Sequence, residues 1–184
     1  HEITLQFAKE HYEELLDKGF IPQLQHDDLE YTVRKQVRLY EPTMRQRKIS
    51  FKVKVDDAPK GLEFDADDIG VIIRNLVQNS IRSLTRKTNV RRKIEVLVRV
   101  VRSPERPSEA AVNIMIEDNG VGIDPEILDR VFEPEFTTYR GIGGRGHGLA
   151  WVERVCKKHG TVPLVESEWG HWCRVNVELI GKVG

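Results

Sequence analysis

The chain has 184 residues, and its 29 basic and 29 acidic residues give a formal net charge of zero. A neutral chain has no general electrostatic attraction for nucleic acid or an anionic membrane, so we expect neither as a partner. No apolar run approaches the roughly 20 residues of a membrane-spanning helix. Two cysteines, Cys156 and Cys173, lack the spacing of a zinc site or a disulfide framework, which favours a cytoplasmic protein.

The first elements are predicted from apolar spacing and from glycine and proline. Residues 1–18 indicate a helix that ends at Gly19, and we treat 1–19 as a helical segment that precedes a domain of residues 20–184. A short strand is predicted at 20–25. The next helical pattern runs from Leu29 onward, and Pro42 should bend or interrupt it.

A strand and a long helix follow, and then a hairpin of the strands predicted at 92–101 and 110–117. Alternating apolar residues predict a half-buried strand at 49–55. Asp65 or Asp67 could cap the next helix, whose apolar residues form one broad face: Ile69, Ile72, Ile73, Leu76, Val77 and Leu84. Further strands are predicted at 92–101, 110–117, 161–167 and 172–180, with a helix at about 147–158. This order favours a two-layer α/β sandwich with one mixed sheet over a doubly wound parallel sheet.

The long helix carries a polar stripe that borders its apolar face. Asn75, Asn79 and Arg82 follow the i, i+4, i+7 spacing and therefore lie on one side of the helix. An asparagine oxygen suits a Mg²⁺ ion that already carries water and phosphate oxygens, and arginine can pair with phosphate. The alternative interpretation is a solvated polar edge.

A tight turn follows the strand at 110–117. Asp118 ends this strand, and its carboxylate could hold an exocyclic amine such as that of adenine. Gly120 and Gly122 allow the backbone to turn sharply and to approach a flat ligand. An ordinary tight turn is the alternative.

A second glycine cluster spans residues 141–148 and opens a helical pattern. Glycine-rich backbone at a helix N-terminus is suited to binding an anion. The cluster also fits a dinucleotide-binding spacing, but the preceding residues do not indicate the strand which that motif requires. A P-loop is excluded because no Gly-Lys-Ser/Thr sequence is present. A flexible loop is the alternative.

The segment between the two glycine clusters is charged and contains two apolar residues, Phe132 and Phe136. Apolar anchors between glycine clusters are typical of a lid that closes over a ligand. A plain loop that tucks both rings into the core is the alternative.

Together these motifs resemble the asparagine box, first glycine box, phenylalanine box and second glycine box of sensor histidine kinases. These kinases belong to the GHKL superfamily with gyrase and the mismatch-repair ATPases. The resemblance covers residues 24–180, and four motifs in one order are far more specific than any one alone. The motifs read Asn75-Leu-Val-Gln-Asn79, Asp118-Asn-Gly120-Val-Gly122, Phe132-Glu-Pro-Glu-Phe136 and Gly144-Arg-Gly146-His-Gly148.

The resemblance implies the Bergerat ATP-binding fold, a mixed sheet of about five strands with three helices on one face. It implies ATP and Mg²⁺ as cofactors. Asp118 would bind the adenine amine, Asn79 would coordinate Mg²⁺, Asn75 would support the phosphate side, and Arg82 would lie near the phosphates. Phe132 and Phe136 would anchor the lid. The remaining contacts would come from the two glycine boxes, with Gly120 and Gly122 at the adenine end and Gly144, Gly146, Gly148 and Leu149 at the triphosphate.

Some residues depart from the family pattern. The lid often has a lysine after the Thr-Thr pair, whereas this chain has Tyr139 and then Arg140. Either Arg140 or Arg145 could supply the missing positive charge. His147, between two glycines of the second box, is assigned a structural or solvent-facing role in preference to that of a catalytic base.

Asn75 distinguishes a kinase from a hydrolase. The ATPase branches carry a glutamate at this position, one helical turn before the magnesium asparagine, where it activates water. An asparagine cannot take a proton at neutral pH, so transfer to a histidine of a dimerisation domain fits better, with a response regulator served indirectly. A gyrase-type or mismatch-repair-type ATPase and a degenerate nucleotide- or partner-binding module remain the alternatives.

The N-terminal segment resembles the end of the second helix of such a dimerisation domain. His1-Glu2-Ile3 echoes the phosphoacceptor motif, but Thr4 and Leu5 break the pattern. We therefore expect the acceptor histidine to lie elsewhere and the isolated domain to be monomeric.

Overall fold

The fold is taken from a computed structural model of the chain. Segment 1–19 lies outside the described residues, so the division at residue 20 stays a prediction. The structure describes residues 22–88, 90–104, 106, 108–133, 136 and 148–184.

Seven strands form one mixed sheet. In spatial order they run β1-β3-β7-β5-β4-β2, and β6 pairs with β7 beside β3. β2 and β4 are parallel, and the other pairs among the described residues are antiparallel. The strands are β1 (Gln25–His26), β2 (Ile49–Val55), β3 (Leu62–Phe64), β4 (Arg92–Arg102), β5 (Glu109–Asp118), β6 (Leu164–Glu168) and β7 (Trp172–Val183).

The helices form the second layer. α3 packs between α1 and α4, and a short 3-10 helix follows β5. This arrangement confirms the predicted two-layer α/β fold, with five longer strands and two short ones in the sheet. The helices are α1 (Leu29–Arg38), α2 (Glu41–Gln46), α3 (Ala66–Thr85) and α4 (Gly148–Lys158), and the 3-10 helix spans Pro125–Arg130.

The predicted apolar face of α3 forms the centre of the core. All six of its predicted core residues are at most 2% exposed. Each such side chain contributes about 1.5–3 kcal/mol by leaving water. Asp65 is the residue that caps the helix, because its side chain accepts a hydrogen bond from Asp68 N at 3.0 Å. Both predictions for this helix are confirmed.

Pro42 divides the helical pattern as predicted. α1 ends at Arg38, and Pro42 lies in the first turn of α2. The N–H groups of a first turn have no partner within the helix, so a proline there costs no helical hydrogen bond. Met44 of α2 is fully buried in the core. The break therefore turns the chain without interrupting the helical layer.

Two predicted strands have different bounds in the structure, and one short strand was not predicted. The strand predicted at 20–25 is β1, which includes only Gln25 of that range. β6 begins at Leu164 because the residues before it close the end of α4: Thr161 N donates to Cys156 O. β3 was not predicted, since three residues are too few for a period-two pattern to show.

The sheet places two connections at the same end of the molecule. Asp118 at the end of β5 pairs in register with Cys173 near the start of β7. The loop after Asp118 and the β6–β7 turn therefore lie side by side.

No helix in the described part of the chain is long and apolar enough to cross a membrane.

Candidate nucleotide-binding site

A cavity of about 460 Å³ opens at this end, between α3 and the loop after β5. Its size falls within the range of small-molecule sites. The start of α4 and the β6–β7 turn complete its wall among the described residues. Apolar side chains form much of its wall: Leu76, Ile116, Val121, Ile123, Val131 and Val175.

Asp118 supplies a buried carboxylate at the sheet end of the cavity. It is 5% exposed. Its Oδ1 atom accepts hydrogen bonds from Gly120 N at 2.9 Å and from Ser83 Oγ at 3.0 Å. A carboxylate has about four acceptor positions, so capacity remains for a donor in the cavity. This geometry suits recognition of an amine.

Burial also sets the charge behaviour of this carboxyl group. Desolvation raises the pKa of Asp118 to about 6, against the hydrogen bonds from Ser80, Gly120 and Ser83, which lower it. The group is therefore ionised at neutral pH but at a cost in stability. A ligand that donates a hydrogen bond to it would relieve part of that cost.

Gly120 and Gly122 are required by close approaches of the backbone. A Cβ at Gly120 would overlap Ser83 Oγ, which bonds to Asp118. Gly122 has a φ of +65°, and a Cβ there would overlap the Glu168 carbonyl group. The two glycines thus allow the loop to lie against both α3 and the β6–β7 turn.

Asn79 lines the cavity beside the start of α4, and Asn75 lies next to it outside the cavity wall. A Cβ at Gly148 would be 3.4 Å from Asn75 Oδ1 and 3.5 Å from Asn79 Oδ1. Asn75 Nδ2 donates to Val71 O at 2.8 Å, which fixes the orientation of its amide. Asn79 and Gly148 line the cavity. The structure therefore brings the asparagine box together with the last glycine of the second glycine box.

Basic side chains of α3 lie along the same wall. Arg82 lines the cavity one turn after Asn79, together with Arg86. The positive charges of Arg74 and Arg82 also act on Tyr40, whose pKa is raised by burial and lowered by these two arginines. Arg82 therefore contributes positive potential next to the two asparagine amides.

The two phenylalanines of the predicted lid have different surroundings. Phe136 lines the cavity, and the Arg130 guanidinium lies 4.8 Å from its ring centre. Phe132 is half-buried and is not part of the cavity wall. Leu149 lines the cavity beside Gly148. The predicted residues Arg140, Gly144, Arg145 and Gly146, with His147, lie outside the described residues.

Several contributing residues were not predicted from the sequence. The Ser83 hydroxyl group donates a hydrogen bond to Asp118 and accepts one from Val121 N at 3.1 Å. Lys87 Nζ donates to the carbonyl groups of Asn119, Gly120 and His171 at 3.1–3.2 Å, which ties the end of α3 to both turns. Two buried serines on a helix, Ser80 and Ser83, were the available signal, since buried hydroxyls need polar partners.

Two further cavity residues, Cys173 and Trp169, come from the β6–β7 region. Both cysteines of the chain are free. Burial raises the pKa of the Cys173 thiol to about 12, so the thiol is neutral and unreactive at physiological pH. No local sequence pattern indicates either residue, because their placement depends on the pairing of distant strands.

The residues fit a magnesium nucleotide. The described part of the chain has no group of three or more His, Cys, Asp or Glu residues that could hold a metal ion by itself. A Mg²⁺ ion that keeps waters and phosphate oxygens needs only one or two protein oxygens, and Asn79 presents a carboxamide to the cavity. The same cavity presents the buried acceptor Asp118.

The sequence identifies the class of domain. Residues 64–181, well over half of the chain, match the family described as histidine kinase-, DNA gyrase B- and HSP90-like ATPases, and the chain belongs to this family. Within the family it is a histidine kinase ATP-binding domain of the GHKL type.

Curated relatives are sensor kinases. The sensor histidine kinase ZraS of Escherichia coli K12 is 28% identical over 160 residues, which are 84% of this chain and 32% of ZraS. The alginate biosynthesis sensor protein KinB of Pseudomonas aeruginosa is 29% identical over 133 residues, or 72% of this chain and 20% of KinB. The chain thus spans about a third or less of the length of these relatives.

Solved structures support the fold. Full-length ShkA in complex with AMPPNP has a TM-score of 0.68 and 21% identity, and the match covers 88% of this chain and 32% of ShkA. The catalytic domain of the histidine kinase ThkA has a TM-score of 0.64 and 22% identity, with 84% of this chain and 95% of that domain covered.

Proposed function

We propose that this domain binds Mg·ATP and transfers the γ-phosphoryl group to a histidine of a dimerisation domain in two-component signalling. The observation that carries the proposal is one cavity lined by the buried carboxylate of Asp118 and by the amide of Asn79, with Asn75 beside Asn79 at the start of α4. The carboxylate suits the amine of a nucleotide base, and the amides suit the metal ion and phosphates of the same nucleotide. The kinship with sensor histidine kinases supports the choice of acceptor.

The adenine base would occupy the sheet end of the cavity. Asp118 would accept a hydrogen bond from the exocyclic amine, and the apolar residues of the cavity wall would cover the ring. Hydrogen bonds to Oδ1 hold the carboxylate in place before the ligand arrives. The site is therefore preorganised for one donor at one position.

The phosphates would extend toward Asn79, Arg82 and the first turn of α4. Asn79 would hold Mg²⁺, which when bound neutralises phosphate charge and orients the γ-phosphoryl group. The N-terminus of α4 favours an anion, since the N–H groups of its first turn and the helix dipole point toward it. Gly144, Arg145, Gly146 and Arg140 are proposed as additional phosphate contacts.

Transfer is favoured over hydrolysis by Asn75. Its Nδ2 atom is bound to Val71 O, and its carboxamide cannot remove a proton from water. The domain would then mainly position ATP for attack by an imidazole that a separate domain presents. A response regulator would receive the phosphoryl group from that histidine.

The test supplies the chain with Mg·ATP and a separate histidine-bearing helical hairpin from a sensor kinase. Acid-labile phosphate should form on the hairpin with the wild type and should be lost in Asp118→Ala and Asn79→Ala. Asn113→Ala is the matched control, because Asn113 lies on the face of β5 opposite the helices and does not line the cavity. Full ATP affinity in Asp118→Ala would refute the site assignment. Steady ATP turnover without a hairpin would indicate a hydrolase.

A further inference from the structure

Trp169 is a large aromatic side chain left exposed at the edge of the cavity. It is 56% exposed and lines the cavity on the β6–β7 turn. Aromatic side chains gain most by burial, so an exposed ring beside a concave site indicates a surface that a ligand covers.

The three tryptophans of the chain have different neighbours. The Arg154 guanidinium lies 5.1 Å from the ring centre of Trp151, and the Arg174 guanidinium lies 5.4 Å from that of Trp172. Trp172 Nε1 also donates to Glu168 Oε2 at 3.1 Å. Among the described residues, none makes a hydrogen bond or ring contact with the indole of Trp169. The cavity-lining tryptophan thus keeps a ring face available.

The turn that carries Trp169 is held firmly against the loop after Asp118. Gly170 N donates to Val121 O at 2.7 Å. Ile123 N donates to Ser167 Oγ at 2.8 Å, and the same hydroxyl group donates to Trp172 O at 2.8 Å. The backbone that carries Trp169 is therefore fixed relative to the loop after Asp118, which keeps the indole near the Asp118 carboxylate.

We propose that Trp169 stacks on the exposed face of the nucleotide base and so acts as a binding residue for the base. The inference rests on the proposed function, because it places the base beside Asp118. Stacking of a base on an aromatic ring is tolerant of base identity, so Trp169 contributes affinity while Asp118 selects the amine.

The test measures the affinity of ADP by isothermal titration calorimetry in the presence of Mg²⁺. Trp169→Ala should weaken binding at least about fivefold, which is the lower end of a lost base–aromatic stack. Trp169→Phe should stay within about threefold of the wild type, because a ring is retained. Tyr31→Ala is the matched control: Tyr31 lies on α1, is 57% exposed and lies outside the cavity wall.

A second measurement uses the tryptophan itself. In a Trp151→Phe/Trp172→Phe double variant, saturating ADP should quench or shift the fluorescence of Trp169. An unchanged spectrum, or ADP affinity within twofold of the wild type in Trp169→Ala, would overturn the inference. Failure of both the wild type and Tyr31→Ala to bind ADP would instead refute the proposed function, so the two failures are distinguishable.

Discussion

The Ser83 hydroxyl group donates a hydrogen bond of 3.0 Å to Asp118 Oδ1 across the interface between α3 and β5. The Ser83 oxygen in turn accepts a hydrogen bond from Val121 N. One helix side chain therefore fixes both the carboxylate and the loop that follows it. The helix that carries Asn75 and Asn79 therefore also sets the geometry of the Asp118 carboxylate.

Asp118→Asn is expected to stabilise the fold at neutral pH while it removes nucleotide binding. Burial raises the pKa of Asp118 from 3.8 to about 6, so the folded protein holds this proton more tightly than the unfolded chain. The contribution of Asp118 to the free energy of unfolding is therefore most favourable below about pH 4, declines between about pH 4 and 6, and stays low above that. An uncharged amide avoids a cost of about 2–3 kcal/mol at pH 7.

Urea unfolding of both proteins from pH 4 to pH 8 checks this prediction. The stability gain of the variant should grow as the pH rises to about 6 and should then level off. A gain that does not change with pH would contradict it. ADP titration of the same samples should show loss of binding in the variant.

Gly122→Ala should cost more stability than Gly160→Ala. Both glycines have a positive φ, +65° and +70°, so both substitutions carry a backbone strain of about 1–2 kcal/mol. Only at Gly122 would the new Cβ overlap backbone atoms, those of Glu168, whereas nothing lies within 4 Å at Gly160. The overlap should add about 1–3 kcal/mol and displace the β6–β7 turn.

Thermal unfolding and ADP titration of the two variants measure this difference. Gly122→Ala should also weaken nucleotide binding, because Trp169 moves with the turn, and Gly160→Ala should not. Equal losses of stability would show that backbone strain alone determines the effect.

Phe136→Ala should weaken nucleotide binding more than Phe132→Ala. Phe136 lines the cavity under the Arg130 guanidinium, whereas Phe132 is half-buried outside the cavity wall. Loss of the Phe136 ring removes apolar contact with the ligand. The binding free energy should weaken by about 1–2 kcal/mol, or roughly five- to thirtyfold in affinity. Calorimetric titration with AMPPNP and Mg²⁺ provides the measurement. A larger loss in Phe132→Ala would indicate that both rings contact the ligand in the bound state.

Local patterns predict the elements that are buried on one face. The core face of α3 is evident from the spacing of its apolar residues, and the cap at Asp65 is one of two candidates. The order of the motifs along the chain is enough to assign Asp118 and Asn79 to one site. These features depend on residues that are close in sequence or that belong to a recognisable motif.

Residues whose role depends on distant pairing cannot be predicted in this way. Ser83 contributes because β5 lies beside α3, and Trp169 contributes because Gly170 bonds to Val121. Nothing in the sequence near Trp169 indicates a turn packed against residue 121. Strand register and loop contacts are set by the whole sheet, so they follow from the fold and not from local sequence.

His159→Ala should destabilise the domain much more than His26→Ala. The side chain of His159 is fully buried and links the end of α4 to β7 and α3. Its Nδ1 accepts a hydrogen bond from Ile180 N at 3.0 Å, so the ring proton is on Nε2. Nε2 donates a hydrogen bond to Asp68 Oδ2 at 2.9 Å. The substitution leaves the Ile180 N–H and one acceptor position of Asp68 without their partner and opens a cavity, at a cost of about 2–4 kcal/mol.

His26 is the matched control, because its side chain is 66% exposed and its ion pair with Glu63 lies at the surface. Its removal should change stability by less than about 1 kcal/mol. Urea unfolding measures both variants. Asp68 lies in the first turn of α3, about 22 Å along the helix from Ser83, so folded His159→Ala should bind ADP with wild-type affinity. Weakened binding below the unfolding transition would show that this buried cluster is coupled to the nucleotide site.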